Sequence, residues 1–161
     1  MIVFLFIHQI SSFSINSIPS TASPPNAKIG SAAVYDPQSQ SIFTIGGQES
    51  SHDLVTSEVN IFDLKANKWR TPELISEFEP SFLVNHNMHL RSDRNIVVFG
   101  RFSEVFLFNI DQYAWSKASL NGDQLYGVRG YASTSVVLNG TEYFVIFGGI
   151  NPQGYVNGLY L

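Results

Sequence analysis

Apolar and β-branched residues recur along the chain in short runs, broken by glycine, asparagine, aspartate or serine, and no long segment keeps a helical period. Three runs end in glycine: Ile42 to Gly46 and Gly47, Asn95 to Gly100 ahead of Arg101, and Tyr143 to Gly148 and Gly149. Their last glycines, Gly47, Gly100 and Gly149, lie 53 and 49 residues apart. A second short apolar run follows each (58–64, 104–110 and 156–161), and another precedes it (31–35, 82–88 and 131–138). The two runs before and at the glycines are separated by turn formers: Asp36-Pro37-Gln38-Ser39, Ser92-Asp93-Arg94 and Asn139-Gly140. The last predicts a two-residue hairpin, because both residues tolerate positive φ. Seven residues beyond Phe62 and Phe108 stand Trp69 and Trp115. Between Pro72 and Pro80, residues 73–78 could make at most one helical turn.

A repeat of about fifty residues therefore organises the chain, and each unit reads as four short antiparallel strands. Four-stranded units at this interval, each with glycine and aromatic markers, are what radial repetition of sheets requires, so the expected fold is an all-β propeller. The glycine pairs would let the backbone turn and neighbouring sheets approach closely, and the aromatic residues would fill the wedge between blades. At the N-terminus, Val3-Phe4-Leu5-Phe6 recurs as Val105-Phe106-Leu107-Phe108, with Phe13 and Trp115 seven residues after the last Phe of each. Residues 1–17 are accordingly expected to be the last two strands of a preceding partial blade, with a weak signal peptide as the alternative, since no Lys or Arg precedes Lys28. A linker follows at 18–30, then a blade at 31–75, a degenerate blade at 80–118, and a blade at 126–161 truncated before its last strand. About three and a half blades fall short of the roughly four to eight of a closed ring. The expectation is a propeller fragment that needs further blades to close, with apolar blade faces and strand edges exposed at its ends.

Composition narrows the partners. Of 161 residues, 44% are hydrophobic and 14% aromatic, enough for a buried core. A net charge of -4 with 14% charged residues argues against nucleic acid or an anionic membrane as partner. The apolar start is too short to span a membrane. Zero cysteines exclude disulfides, thiolate nucleophiles and Cys-ligated metals.

The markers carry a resemblance. Gly-Gly after an apolar strand, an aromatic followed by Asp or Asn (Phe62-Asp63, Phe108-Asn109) and Trp seven residues after that aromatic resemble the kelch repeat, as does the lead-in Lys28-Ile29-Gly30-Ser31-Ala32. Val128-Arg129-Gly130-Tyr131-Ala132 is a looser version, and the middle unit has Arg101 in place of its second glycine. The landmark positions are Gly46, Gly47, Trp69, Gly100, Trp115, Gly148 and Gly149. WD repeats share the period, but no Trp-Asp or Gly-His pair is present.

Candidate chemistry is sparse. His86 and His89, three apart on a strand, point to opposite faces and cannot share an ion without a bulge, and His52 adds little. Asn139-Gly140-Thr141 fits a glycosylation acceptor, but the hairpin explains it. Gly127-Val128-Arg129-Gly130 precedes a strand and makes no dinucleotide loop. No catalytic residues, metal or cofactor are expected. The resemblance implies instead that connecting segments at one rim, here 48–57, 151–155, 71–79 and 119–128, hold a protein or peptide. It also places basic residues at the channel mouth, which map onto Lys28, Arg101 and Arg129 and would suit an acidic partner. The leading reading is a non-catalytic interaction module, a scaffold or adaptor in the cytoplasm. Its rivals are part of a kelch-like enzyme, an oxidase or sugar-modifying protein, and a secreted protein if residues 1–13 act as a signal.

Overall fold

The structure is a computed structural model that describes residues 16–49, 54–100, 104–119 and 127–161. The expected strands or signal before residue 16 and the position of Arg101 lie outside the described residues. Every described element is an antiparallel strand. The first sheet holds β1 (Lys28–Ile29), β2 (Ala32–Asp36), β3 (Ser41–Glu49), β4 (Leu54–Asp63) and β5 (Lys68–Arg70). The second runs β6 (Asn87–Leu90), β7 (Asn95–Phe99), β8 (Val105–Asn109), β9 (Ala114–Lys117) in consecutive order. The third has β10 (Ala132–Leu138), β11 (Thr141–Phe147) and, beyond a separate hairpin of β12 (Ile150–Asn151) and β13 (Gly154–Tyr155), β14 (Leu159–Tyr160). The leading strands β2, β6 and β10 touch in that order, so the sheets share an inner edge, as blades around an axis do.

Local chemistry explains why the hairpins close where they do. Asp63 Oδ1 accepts the amides of Lys65 and Ala66, both at 2.8 Å, and Asn67 then turns left-handed at φ 53°. Asn109 Oδ1 does the same for Asp111 and Gln112, with Tyr113 at 52°. Asp36 takes the amides of Gln38 and Ser39, with Gln40 at 54°. Each is an Asx turn, which is the physical content of the acidic or amide residue after the aromatic landmark. Across the same hairpins Phe62 pairs with Trp69 and Phe108 with Trp115. The ring geometries nearly superimpose, 5.0 Å and 56° against 4.9 Å and 53°. Asn139 and Gly140 both have positive φ, as the two-residue turn requires.

The core lies in the joint between the first two sheets. Phe43, Ile45, Val59 and Ile61 meet Met88, Ile96, Val98 and Phe106, with Leu83 of the connector fully buried between them. Gly46 sets the spacing of this joint. A Cβ there would stand 2.4 Å from the Leu83 carbonyl, and the Gly47 amide donates to that same oxygen at 2.7 Å. The next joint is polar and aromatic: His89 Nε2 meets Ser133 Oγ at 2.9 Å, and Phe144 packs on both His89 and Phe99. His86 and His89 thus serve opposite joints, His86 from the connector ahead of β6 and His89 from β6 itself. At the hairpin end, the Arg94 guanidinium bridges Asp36 at 2.7 Å and Asp111 at 2.9 Å, and Ser92 reaches Glu142. Burial works against ionisation of Asp36, but its bonds to Arg94, Ser39 and the turn amides prevail and hold it at about 2.

Three expectations need correction. The first glycine pair does not end its strand: β3 continues to Glu49, and Gly46 is a bulge where the register with β4 shifts. The run at 82–88 yields a strand only from Asn87, because Phe82 and Asn85 adopt positive φ and Leu83 turns into the joint. In the third sheet, the run at 156–161 pairs only through Leu159 and Tyr160. The large exposed apolar residues on strands all belong to the outer two sheets, among them Val137, Leu138, Phe147 and Leu159. The described part of the middle sheet presents none, as befits the centre of an open arc.

Substituting Gly46→Ala combines left-handed strain with a backbone clash and should cost about 3 kcal/mol, whereas Gly140→Ala, equally left-handed but with open space around it, should cost about 1 kcal/mol. Urea midpoints of the two variants check the ordering. His86 adds a pH dependence: it is buried against Gly46 with neither ring nitrogen partnered, and burial pushes it down to about 4. The unfolded chain, with an ordinary histidine near 6.5, binds the extra proton between those values, so stability falls as pH drops from about 6.5 to 4, by up to about 1.4 kcal/mol per unit. Asp36 adds a further loss only below its ordinary 3.8. Unfolding titrations of His86→Leu should show the slope between pH 6.5 and 4 flattened; an unchanged slope would place the proton uptake elsewhere.

Candidate functional site

The hairpin turns and the Arg94 network occupy one end of the arc; the described parts of segments 48–57 and 151–155, beyond the glycine pairs, lie at the other. There the glycine pairs build a projecting feature. Gly46 and Gly47 have φ of 67° and 104°, Gly148 and Gly149 of 71° and 100°. Past each pair the backbone resumes extended pairing and forms a small three-stranded ribbon above the blade. In the first ribbon Ile29, Gln48 and Val55 stand side by side, as do Lys28, Glu49 and Leu54. In the second, Arg129 bridges Ile150, with backbone bonds of 3.0 and 2.9 Å, and Ile150 pairs with Tyr155. Directly paired residues on adjacent strands project from the same face. Arg129, Ile150 and Tyr155 therefore form one row. In the middle sheet the Gly100 amide donates to the Glu104 carbonyl at 2.8 Å, across a segment that lies outside the described residues.

Counting from the glycines exposes a difference between two residues proposed as equivalent. Lys28 corresponds to Val128: a Cβ on Gly47 would meet Lys28 Cβ at 3.0 Å, and one on Gly149 would meet Val128 Cγ1 at 2.7 Å. Both are buried beneath the ribbon, the Lys28 side chain to 5% exposure, and its ammonium is neutralised by Glu58 on β4. Arg129 corresponds instead to Ile29, and both face solvent. Arg129 makes no ion pair with a described residue. Beside it Tyr155 is 93% exposed, held at the end of a turn in which Asn151 accepts the Gln153 amide. Sequence reasoning named the segment 151–155 but not Tyr155; its distance from Gly148 and Gly149 was the available signal.

The connector at 71–79 leaves β5, meets the hairpin turn of the second blade at Ile75 and returns toward β4 at Glu79; it presents exposed Glu73, Glu77 and Glu79, the last accepting a bond from Ser57. It also exposes Ile75 and Phe78. Among the described residues no group of three or more His, Cys, Asp or Glu is placed to hold a metal ion, and no helix is long and apolar enough to cross a membrane.

Comparison with known proteins agrees with the blade arrangement. The family model described as the KLHDC2/KLHL20/DRC7 Kelch-repeats domain matches residues 3–161. Among solved structures the chain is similar to YjhT, at 14% identity over 84% of this chain with a TM-score of 0.64. At that identity the likeness concerns the fold alone. The match takes in 48% of the YjhT chain, so this chain spans about half its length.

The different placement of the two basic residues has a measurable consequence. Lys28→Glu sets a second carboxylate against Glu58 in a nearly buried position and should cost about 2–3 kcal/mol, less than a fully buried pair because Glu58 is partly solvated. Arg129→Glu should stay within about 0.5 kcal/mol of the parent chain. Chemical denaturation of both separates a buried lysine from a solvent-facing arginine.

Proposed function

The chain belongs to the kelch-repeat family, and on that premise we propose that it is a non-catalytic interaction module whose ribbon rim holds a partner protein. Kelch propellers are scaffolds often used in protein interaction. The observation that carries the reading here is the row Arg129, Ile150 and Tyr155, which presents a guanidinium with no ion-pair partner among the described residues, an aliphatic side chain and an exposed phenol from a hydrogen-bonded support. Arg and Tyr are the residues most often dominant in interfaces, and a support fixed by backbone bonds lowers the entropy lost on binding. An acidic residue of the partner would meet Arg129, and an apolar neighbour would lie on Ile150 and Tyr155. Glu79, bonded to Ser57 on β4, disfavours an acidic segment beside the first ribbon and leaves the third sheet as the better place for one. Arg101 shares the proposed role as a second cation of the rim.

The test uses a library of extended peptides, half carrying Asp or Glu next to an aromatic residue and half with the acid replaced by Lys. Acidic members should bind, weaken with added salt, and lose roughly ten- to a hundredfold in affinity with Arg129→Glu, the equivalent of one charge-assisted bond. Binding indifferent to Arg129→Glu and Tyr155→Ser would remove the rim reading. Copper or iron bound stoichiometrically to purified protein would favour an enzyme instead.

A further inference from the structure

Apart from the rim, the two best-described blades differ in how their outer faces are filled. Each has a connector that docks on its last hairpin by the same bond: the Ile75 amide to the Tyr113 carbonyl at 3.2 Å, and the Thr21 amide to the Asn67 carbonyl at 3.0 Å. Three residues on stand Phe78 and Pro24. In the second blade Phe78 lies over Phe106, ring centroids 5.9 Å apart, Ser76 Oγ accepts the Trp115 amide, and Trp115 is 4% exposed. In the first blade Asn60 takes the place of Phe106, two residues before the aromatic partner of the tryptophan. Pro24 brings no aromatic ring to the sheet there. Trp69 stays half-buried, and a cleft of about 350 Å³ opens between the linker and the sheet.

The cleft's chemistry limits what can enter. Pro24 and Pro25 form one wall; Trp69, Asn60, Thr71 and Glu58 line the other. Asn60 is 5% exposed, and its side-chain oxygen is fixed by the Thr71 hydroxyl at 2.8 Å. The charges at its edge are already engaged: Glu58 with Lys28, and Arg70 with the Tyr113 hydroxyl at 2.6 Å and the face of the same ring. Glu58 is thereby neutralised, while the Arg70 guanidinium keeps its charge but is turned onto Tyr113 at the edge of the cleft. The volume lies at the lower end of the roughly 300–1,000 Å³ of small-molecule sites, and the lining is more polar than most. An indole beside amide, hydroxyl and carboxylate groups matches a molecule with an apolar C–H face and several hydroxyls. From this juxtaposition we propose that the cleft between residues 23–26 and Trp69 binds a neutral saccharide of one or two rings.

The site is separate from the rim row, so the two can fail independently. The experiment titrates the full chain with glucose, galactose, N-acetylglucosamine and maltose. Tryptophan emission is followed in a Trp115→Phe background, where Trp69 is the sole tryptophan, and saturation-transfer NMR follows binding to the parent chain. At least one sugar should saturate with Kd near about 1 mM, typical of a small solvated site. Pro24→Phe, which rebuilds the filling seen in the second blade, should weaken it at least tenfold while leaving peptide binding at Arg129 intact. Thr71→Val, which frees the Asn60 amide, provides a second variant should Pro24→Phe not fold. No saturable signal with any of the four sugars, or equal affinity in a folded Pro24→Phe or Thr71→Val, would overturn the proposal.

Discussion

Two consecutive residues with left-handed backbone, packed where no Cβ fits, constrain almost everything else in this molecule. At Gly46 the chain bulges so that the connector carbonyl of Leu83 can approach, and at Gly47 it returns an amide to that same oxygen. The first contact sets the distance between blades and hence how tightly the core aromatic and aliphatic side chains interdigitate. The second redirects the strand upward into the ribbon. One dipeptide conformation thus serves as both the joint of the arc and the base of its projecting rim, and Gly148 and Gly149 repeat it within a few degrees.

The two ends of the arc are built differently. At the hairpin end, Asx turns and the Asp36, Arg94 and Asp111 network tie one blade to the next through charge-assisted bonds to a buried carboxylate. At the opposite end, the ribbons hold exposed side chains on hydrogen-bonded supports. A scaffold stiff at one rim and chemically varied at the other can change what it recognises without disturbing its joints, which is why binding function concentrates in connecting segments. The outer blades still show apolar strand residues to solvent, while the described middle blade has covered its own on both sides.

The landmarks were legible because each depends on local chemistry: glycine where φ must be positive, an Asx residue where a hairpin closes, and Trp69 and Trp115 opposite Phe62 and Phe108. What escaped reading depends on register or distance. Lys28 and Arg129 look alike beside Gly30 and Gly130, but they sit one position apart, and on a strand one position exchanges buried for exposed. The partnership of Asp36 with Arg94 spans 58 residues and leaves no trace in either neighbourhood. The late start of β6 could not be foreseen either, since Phe82 adopts a conformation rare for a bulky residue. The cleft beside Trp69 depends on a difference between blades, with Pro24 and Asn60 standing where the second blade has Phe78 and Phe106.

Amide hydrogen exchange at Gly47 tests the central claim most directly. Although it lies beside a connecting loop, its amide is bonded across the joint to Leu83, so it should exchange within about tenfold of the core amide of Ile45. Exchange at the rate of an exposed loop amide would mean that the glycine pair neither joins the blades nor supports the rim.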